Sequence, residues 1–364
     1  MGLLDFFRKK DKTPQKETPV AEKPLSEKTA PEKEIPAAQK PISEKPSAPS
    51  LTLEERYGKA SLSAYKSTDW TAATEEFLKL EEQGLGEASV ALGQLAQMDN
   101  KEKALTHFRK AAAKGIAEGA WGYAGLIGHQ YIADINGEDK EWYQYCLQAA
   151  NKGCCDAMNE LGNMYNRIED YLGAFYWYQM AAYYEQPNGY QTVMALLNKW
   201  RNSGSPTVSE SIDGVRPNDV ANATRIFRCM TKQDTLDPAL MDTFMHLAME
   251  DNNEIMGLFI GHFFEDAVKM DGNAKMGYQL AAHNNSIMGM KCLADMLAAG
   301  RGCERNMQNA LGWYIEAANL GEKTACFIMG EFYRTQNKKY LAAYYYSMSF
   351  RRGYQPAYTR LLQH

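Results

Sequence analysis

A short pattern of small and aromatic residues recurs along most of this 364-residue chain. Small residues stand in pairs at Ala111-Ala112, Ala149-Ala150, Ala181-Ala182, Ala281-Ala282 and Ala317-Ala318, with a degenerate sixth pair at Ser349-Phe350. Successive pairs lie 32 to 38 residues apart, apart from one interval of 100 residues. Self-similarity at a period of this length is typical of stacked repeat units rather than of independent globular domains.

The residues around each pair follow fixed offsets. Alanine usually stands seven residues before the pair, an aromatic residue three or four before it, and glycine or asparagine four after it, as in Ala310, Trp313-Tyr314 and Gly321. Offsets of three, four and seven residues place side chains on one helical face, and a glycine or asparagine just beyond that face suits a left-handed C-cap. We therefore predict an all-α fold, an α-solenoid of antiparallel helix pairs.

The most complete unit spans 289–325. It contains Leu293, Gly300-Arg301-Gly302-Cys303, Asn306, Asn309-Ala310, Trp313, Ala317-Ala318, Gly321 and Ala325. This pattern resembles the Sel1-like repeats, which are related to tetratricopeptide repeats, although Cys303, Asn306 and Asn309 replace the family's valine, aspartate and lysine. Weaker units lie near 88–120, 120–157, 157–189, 256–289 and 325–357, with a looser entry unit at 57–88. The resemblance implies an adaptor that binds other proteins.

Composition divides the chain before and after residue 50. The first fifty residues hold 8 of the 13 prolines and no Trp, Tyr, Cys or His. Too little apolar surface is available there to offset the entropy of ordering. We predict a short amphipathic segment at 1–10, a disordered linker at 11–50, and a repeat array at 51–364 with a degenerate unit and an insertion around 189–256.

The first ten residues carry a small apolar face. On a helix, Leu3, Leu4, Phe6 and Phe7 cluster on one side, with Asp5 and two basic residues opposite. This arrangement favours weak peripheral contact with a membrane, and an accidental pattern in a disordered terminus is the alternative. No run approaches ~18 apolar residues, so the sequence predicts no transmembrane helix.

Charge narrows the kind of partner. The chain carries a formal charge of -5, and its first fifty residues are slightly basic, so the repeat array is the more acidic part. An acidic array is a poor ligand for nucleic acid and favours a neutral or basic protein partner. The seven cysteines are unevenly spaced and form no Cys-x-x-Cys pair, which is typical of a reducing compartment. We expect a cytoplasmic protein, with peripheral contact at the inner face of a membrane as the variant.

No catalytic or cofactor motif stands out. His262 precedes Glu265 and Asp266 at helical spacing, but without a second nearby histidine the pattern is a weak metal signal. Cys154-Cys155 could be redox-sensitive only if a thiolate were exposed. We therefore expect no catalytic residue, no metal and no cofactor.

Aromatic residues divide into two groups. Trp177 and Trp313 occupy the packing position of the repeat, so we expect them in the core. Trp121, Tyr131 and Trp200 fall outside that pattern, and these three are the predicted partner-binding residues.

The sequence favours a non-enzymatic scaffold that binds a protein on the concave surface of the solenoid. An immunity-type protein that neutralises a bacterial toxin is the nearest alternative, because some Sel1-like proteins have that role. A β-lactamase-like hydrolase is the alternative of another class. It is disfavoured because the chain lacks regularly spaced cysteine pairs and a Ser-x-x-Lys motif followed by Ser-Asp-Asn.

Overall fold

The computed structural model describes residues 51–67, 70–128, 140–184, 193, 195–199, 211–212, 214–232 and 254–363, without the side chains of 228–232 and 266–267. The chain separates into two units, Met1–Ser50 and Leu51–His364, and the second contains everything described below. Some of the sequence predictions concern residues outside those described. They are the amphipathic segment with Leu3, Leu4, Phe6 and Phe7, the linker at 11–50, Tyr131, Trp200, and most of residues 202–218 within the predicted insertion.

The described elements are all helices. In chain order they are α1 Leu53–Lys66, α2 Thr71–Glu82, α3 Gly86–Ala96, α4 Lys101–Ala113, α5 Ala117–Ile127, α6 Lys140–Ala150, α7 Cys155–Arg167, α8 Tyr171–Tyr183, α9 Pro217–Lys232, α10 Glu254–His262, α11 Asp271–His283, α12 Ile287–Ala299, α13 Met307–Asn319, α14 Lys323–Thr335, α15 Lys339–Arg351 and α16 Pro356–Gln363. A π-helical turn, Phe263–Val268, extends α10. Consecutive helices pack in pairs, so the predicted all-α array of helix pairs is confirmed.

The turns between units have the left-handed C-cap conformation that the sequence predicts. Gly115, Gly153, Gly321 and Gly353 all have positive φ, between +77° and +100°, and Asn285 replaces glycine with φ +62°. This left-handed conformation allows the chain to reverse just after one helix and enter the next. We call the two helices of a unit A and B. Helix A carries a Leu-Gly pair, such as Leu161-Gly162, or an equivalent pair such as Met329-Gly330, and helix B carries the paired small residues.

Small residues set the distance between helices A and B. A methyl group built on Gly162 of α7 would lie 2.5 Å from the Tyr178 ring on α8, and Gly330 stands in the same relation to Tyr346. Such a distance is a clash, so the aromatic ring occupies the space that the missing side chain leaves. The Leu-Gly pair of helix A and the aromatic residue of helix B are therefore two halves of one contact.

The irregular middle of the array contains α9, which packs against α8 and α10. Its Phe227 ring lies 5.0 Å from that of Phe175, and both side chains are fully buried. The sequence predicts helix at 221–232, and the helix begins earlier, at Pro217. Proline fits the first turn of a helix because the amide hydrogen that it lacks would have no partner there.

The two ends of the array contact each other. Helix α1 packs along α15 and also touches α16, although 270 or more residues separate α1 from these helices. Leu62 of α1 shares an apolar cluster with Ala342, Tyr346 and Leu361. The repeat pattern did not predict this contact.

No helix within the described residues is long and apolar enough to cross a membrane.

Candidate functional site

A row of tyrosine hydroxyl groups on the B helices is paired with polar groups on the A helices. The pairs are Tyr178 with Asn163 Oδ1 at 2.7 Å, Tyr278 with His262 Nδ1 at 3.1 Å, Tyr314 with Asp295 Oδ1 at 2.6 Å and Tyr346 with Glu331 Oε1 at 2.6 Å. We call these four pairs the tyrosine ladder. Each polar partner directly follows the Leu-Gly pair, or its equivalent, in its own unit.

The B-helix position of the ladder is not tyrosine in every unit. In the unit of α3 and α4 the B-helix position is Phe108, which has no hydroxyl group, and the A-helix position is Gln94. In the next unit the two positions are Cys146 and Gly125. In each of the four units whose B-helix position is tyrosine, the A-helix position carries a side chain that hydrogen-bonds the hydroxyl group: Asn163, Asp295 and Glu331 accept from it, whereas Tyr278 donates to Glu265 and is paired with His262 Nδ1.

Basic side chains surround the carboxylates of the ladder. Lys291 lies 3.1 Å from Asp295, and Arg360 lies 2.7 Å from Glu331. The π-helical turn adds Glu265 beside Tyr278, where Arg301 approaches it at 2.5 Å. The side chains of Asp295, Glu265 and Glu331 remain 33%, 24% and 25% exposed, so this polar row reaches the surface.

Hydrogen bonds fix the charge states of these groups. Partial burial raises the pKa of Glu331, but hydrogen bonds from Arg334 and Tyr346 outweigh it and leave that pKa below its ordinary value. Glu265 has a lowered pKa for the same reason, with Tyr278 and Arg301 as its donors. Burial and a neighbouring carboxylate raise the pKa of Tyr346. The tyrosines thus remain neutral donors to ionised carboxylates.

His262 belongs to this ladder. Its ring stacks on that of Tyr183 at 5.3 Å, and its Nδ1 atom faces the Tyr278 hydroxyl group. No group of three or more potential metal ligands occurs among the described residues. His262 thus occupies the ladder position of helix A, beside Tyr278, and this packing gives the histidine a structural role in the repeat.

A second cluster forms where turns between units meet. Arg352 pairs with Glu118, with Nη2 at 3.2 Å from Oε2, and the neighbouring Arg351 donates to the Glu87 carbonyl oxygen at 3.2 Å. A methyl group built on Gly153 would lie 3.1 Å from Ile287 Cδ1. We call these residues the turn cluster. Since 234 residues separate Arg352 from Glu118, the cluster joins distant units.

The adjacent cysteines lie near this cluster. Burial raises the pKa of Cys154 and that of Cys155 to about 12 in each case. The Cys155 thiol also lies 3.2 Å from the Tyr184 carbonyl oxygen. A raised thiol pKa disfavours the thiolate that redox chemistry requires.

The predicted aromatic residues have different environments. Trp177 is 1% exposed, which confirms its place in the core. Trp313 is only partly buried, so the expectation of a core position was wrong; its ring lies 5.8 Å from that of His283 near the surface. Trp121 is partly buried on α5 and stays a prediction for partner binding.

Some exposed apolar side chains gave no signal in the repeat pattern. Met98 is 86% exposed and Trp70 is 49% exposed. Both lie near helix ends, outside the positions that recur from unit to unit, so periodicity could not have identified them.

Two solved structures match most of the chain at low identity. A protective antigen of uropathogenic Escherichia coli strains, described as displaying an SLR fold, is 22% identical, with 85% of this chain and 73% of that chain covered and a TM-score of 0.31. A Sel1 repeat protein from Oxalobacter formigenes is 18% identical, with 78% and 76% covered and a TM-score of 0.32. The structural neighbours are Sel1-like repeat proteins. No protein-family model matches the chain, and no curated protein matches its sequence.

Proposed function

We propose that residues 51–364 act as a non-enzymatic scaffold of the Sel1-like type, which binds a protein partner along its A helices. The tyrosine ladder carries this proposal. It presents partly exposed polar groups at one repeated position, on α7, α10, α12 and α14. A partner that crosses several units would meet similar chemistry at each one, which is how solenoids use an extended surface.

Contacts between the A helices of neighbouring units support the choice of the A-helix surface. Helix α3 contacts α5, and α10 contacts α12, so A helices of successive units lie close together. We infer that these helices line the concave side of the array. The concave surface named by the sequence is therefore the surface that we propose for binding.

Charge supports a neutral or basic partner. Asp295, Glu265 and Glu331 are partly exposed carboxylates, and hydrogen bonds hold the pKa values of Glu265 and Glu331 below their ordinary value. Arg301 and Arg360, 39% and 38% exposed, lie at the same surface, where basic groups of a partner would replace them beside Glu265 and Glu331. Exposed ion pairs contribute little to stability, so this exchange would cost the array little.

Partner capture by the full-length protein tests the proposal. We expect the wild-type protein to retain a specific partner, and Asp295→Asn with Glu331→Gln to retain at least about tenfold less of it. Glu102→Gln with Glu316→Gln is the matched control, since both residues are exposed and lie on B helices. Equal retention by both variants, or no specific partner for any of them, would contradict the proposal.

The predicted Trp121 contact has its own test. If Trp121 binds the partner, Trp121→Ala reduces capture while the melting temperature stays close to that of the wild type, because the side chain is only partly buried. Loss of capture only in proportion to lost helical structure would assign Trp121 to folding instead.

A further inference from the structure

The charge of the array is divided unevenly along the chain. Residues 323–364 carry seven Lys or Arg residues and one Glu, whereas residues 51–322 carry 23 Lys or Arg residues and 36 Asp or Glu residues. The net charge of -5 is therefore an average that includes an acidic stretch of repeats and a basic last unit. A local reversal of charge attracts ligands of the sign that the rest of the molecule repels.

Three exposed cations of the last unit lie at the turn between α14 and α15. They are Arg334, which is 42% exposed, Lys338 and Lys339. We call these three residues the basic turn. Residues 336–338, which connect the two helices, include no acidic residue. Other units carry an acidic residue in the corresponding turn, such as Asp99, Glu169 or Glu304.

The two lysines occupy positions that do not favour a cation. Lys338 is the N-cap of α15, and Lys339 is the first residue of that helix. Its side chain does not cap α15, whereas α4, α8 and α13 are capped by Asn100, Asp170 and Asn306, which accept a hydrogen bond from a backbone N–H group. The helix dipole also opposes positive charge at this end. A local departure of this kind is typical of a functional surface.

Neighbouring side chains hold the cations in place. Arg334 donates two hydrogen bonds to Glu331 Oε2, from Nε at 3.2 Å and from Nη2 at 2.8 Å. Lys338 Nζ lies 5.7 Å from the centroid of the Tyr333 ring, which stacks on the Tyr345 ring at 5.4 Å. Among the described residues, neither lysine of the basic turn lies within ion-pair distance of a carboxylate. Two cations therefore remain for an external anion.

We propose that the basic turn binds an acidic segment of a partner protein, whose Asp or Glu carboxylates pair with the three cations. Carboxylates fit because Arg334 already holds one, that of Glu331, through two nitrogen atoms. The partly exposed rings of Phe332 and Tyr333 lie beside the cations and offer contact to an apolar side chain between the acidic residues. This inference does not depend on the function proposed for the tyrosine ladder.

The acidic surroundings favour a peptide segment over a nucleic acid or a membrane. Exposed charges act over about 8 Å at physiological ionic strength. A nucleic-acid strand carries a charge about every 3.4 Å, and an anionic membrane carries charge across a whole surface, so both extend past the basic turn toward the acidic repeats. A peptide can confine its carboxylates to a few residues and remain neutral beyond them.

Binding of a fluorescent peptide to the full-length protein tests the proposal. The probe has about ten residues, alternating Glu and Tyr, and the control probe has Gln in place of each Glu. We expect Lys338→Asn with Lys339→Gln to bind the acidic probe about five- to tenfold more weakly than the wild type at low salt. Lys101→Gln with Lys103→Gln is the matched control, because it removes the same charge from exposed lysines in the first turn of α4.

Three results of this titration contradict the proposal. They are an equal loss of binding in the two variants, equal binding of the two probes to the wild type, and no binding of the acidic probe by the wild type.

The melting temperature separates a binding role of the lysines from a structural one. Asparagine at position 338 can cap α15 as Asn306 caps α13, so Lys338→Asn with Lys339→Gln should melt about 1–3 °C above the wild type. A lower melting temperature together with weaker binding would assign these lysines to the stability of the fold and overturn the proposal.

Other anions compete with the probe in the same assay. They are an oligothymidylate of about ten nucleotides and phosphatidylcholine vesicles that contain phosphatidylglycerol. We expect the acidic peptide to bind the wild type at least about tenfold more tightly than the oligonucleotide, and vesicles to leave it bound. Tighter binding of either competitor, lost in the Lys338→Asn and Lys339→Gln variant, would assign the basic turn to nucleic acid or to a membrane instead.

Discussion

At the scale of single residues, the repeat depends on pairs of residues whose side chains fit each other across helices A and B. Gly162 and Gly330 leave room for the rings of Tyr178 and Tyr346, and Asn163 and Glu331 accept the hydroxyl hydrogen bonds of those rings. One side chain of helix B thus requires two adjacent residues of helix A.

Gly162→Ala should therefore destabilise the array. Alanine gains up to about 1 kcal/mol in helix propensity, but overpacking against the Tyr178 ring costs about 1–3 kcal/mol. The free energy of unfolding, measured with urea, gives the net change. Gly125→Ala is the control, since a methyl group there meets nothing within 4 Å and should stabilise. An equal gain for both substitutions would contradict the packing argument.

Acid should weaken the ladder. Glu331 has a lowered pKa in the folded protein, so its contribution is complete above the ordinary pKa of 4.5 and is lost as the pH falls toward the lowered value. We expect the melting temperature of the wild type to fall more steeply between about pH 5 and pH 3 than that of Glu331→Gln. Glu316→Gln, at an exposed position of α13, should keep the wild-type slope.

The sequence predicted part of this arrangement. Trp177 falls in the core as its spacing indicated, and Gly153 and Asn285 form the expected caps. The partner of the tyrosine hydroxyl was missed because it lies on the other helix of the unit. Trp313 shows the limit of the method, since periodicity gives the face of a helix but not how much of that face a neighbour covers.

At the scale of helices, the turn cluster links units that are far apart in sequence. Arg352, at the end of α15, pairs with Glu118 in the first turn of α5, and the two side chains are 13% and 19% exposed. A carboxylate at a helix N-terminus also interacts favourably with the helix dipole. This one pair therefore fixes the position of the last unit against an early one.

Breaking this pair should be costly. We expect Arg352→Met to lower the free energy of unfolding by about 3 kcal/mol, because Glu118, which is only 19% exposed, is left without its partner. With Glu118→Gln added, the coupling energy in a double-mutant cycle should be about 1–3 kcal/mol. The control cycle uses Arg334 and Glu331, where Arg334 is 42% exposed and solvent should leave the coupling energy well below that of Arg352 and Glu118. Similar coupling energies in the two cycles would contradict this reading.

Helix periodicity predicted the pairs of the array well, because each pair buries its own recurring face. It gave the position of α9 less closely, since Pro217 begins that helix four residues before the predicted start. It could not predict the contact of α1 with α15, because a local pattern holds no information on how far successive units rotate.

At the scale of the whole unit Leu51–His364, end-to-end contact changes how the array should unfold. An open solenoid can lose its terminal units first, since each repeat contacts only its neighbours. Here α15 is covered by α1, and the last unit is tied to Glu118. Each end of the array therefore stabilises the other against separate unfolding.

We expect disruption of the turn cluster to change cooperativity as well as stability. The Arg352→Met chain should show a lower urea m-value than the wild type, because its last units unfold separately. Gly125→Ala serves as the control and should keep the wild-type m-value. An unchanged m-value for Arg352→Met would indicate that the ends do not unfold as one unit.

The contact between α1 and α15 also sets a condition on synthesis of the chain. Repeat units can form as they leave the ribosome, since most of their contacts are local. Helix α1 emerges before the other described helices, yet the surface that buries Tyr57 includes Tyr344, which is made almost 290 residues later. At about 5–20 residues per second, this helix waits roughly 15 to 60 seconds for its partner. The buried tyrosine face of α1 is thus exposed to other proteins during nearly the entire translation of the array.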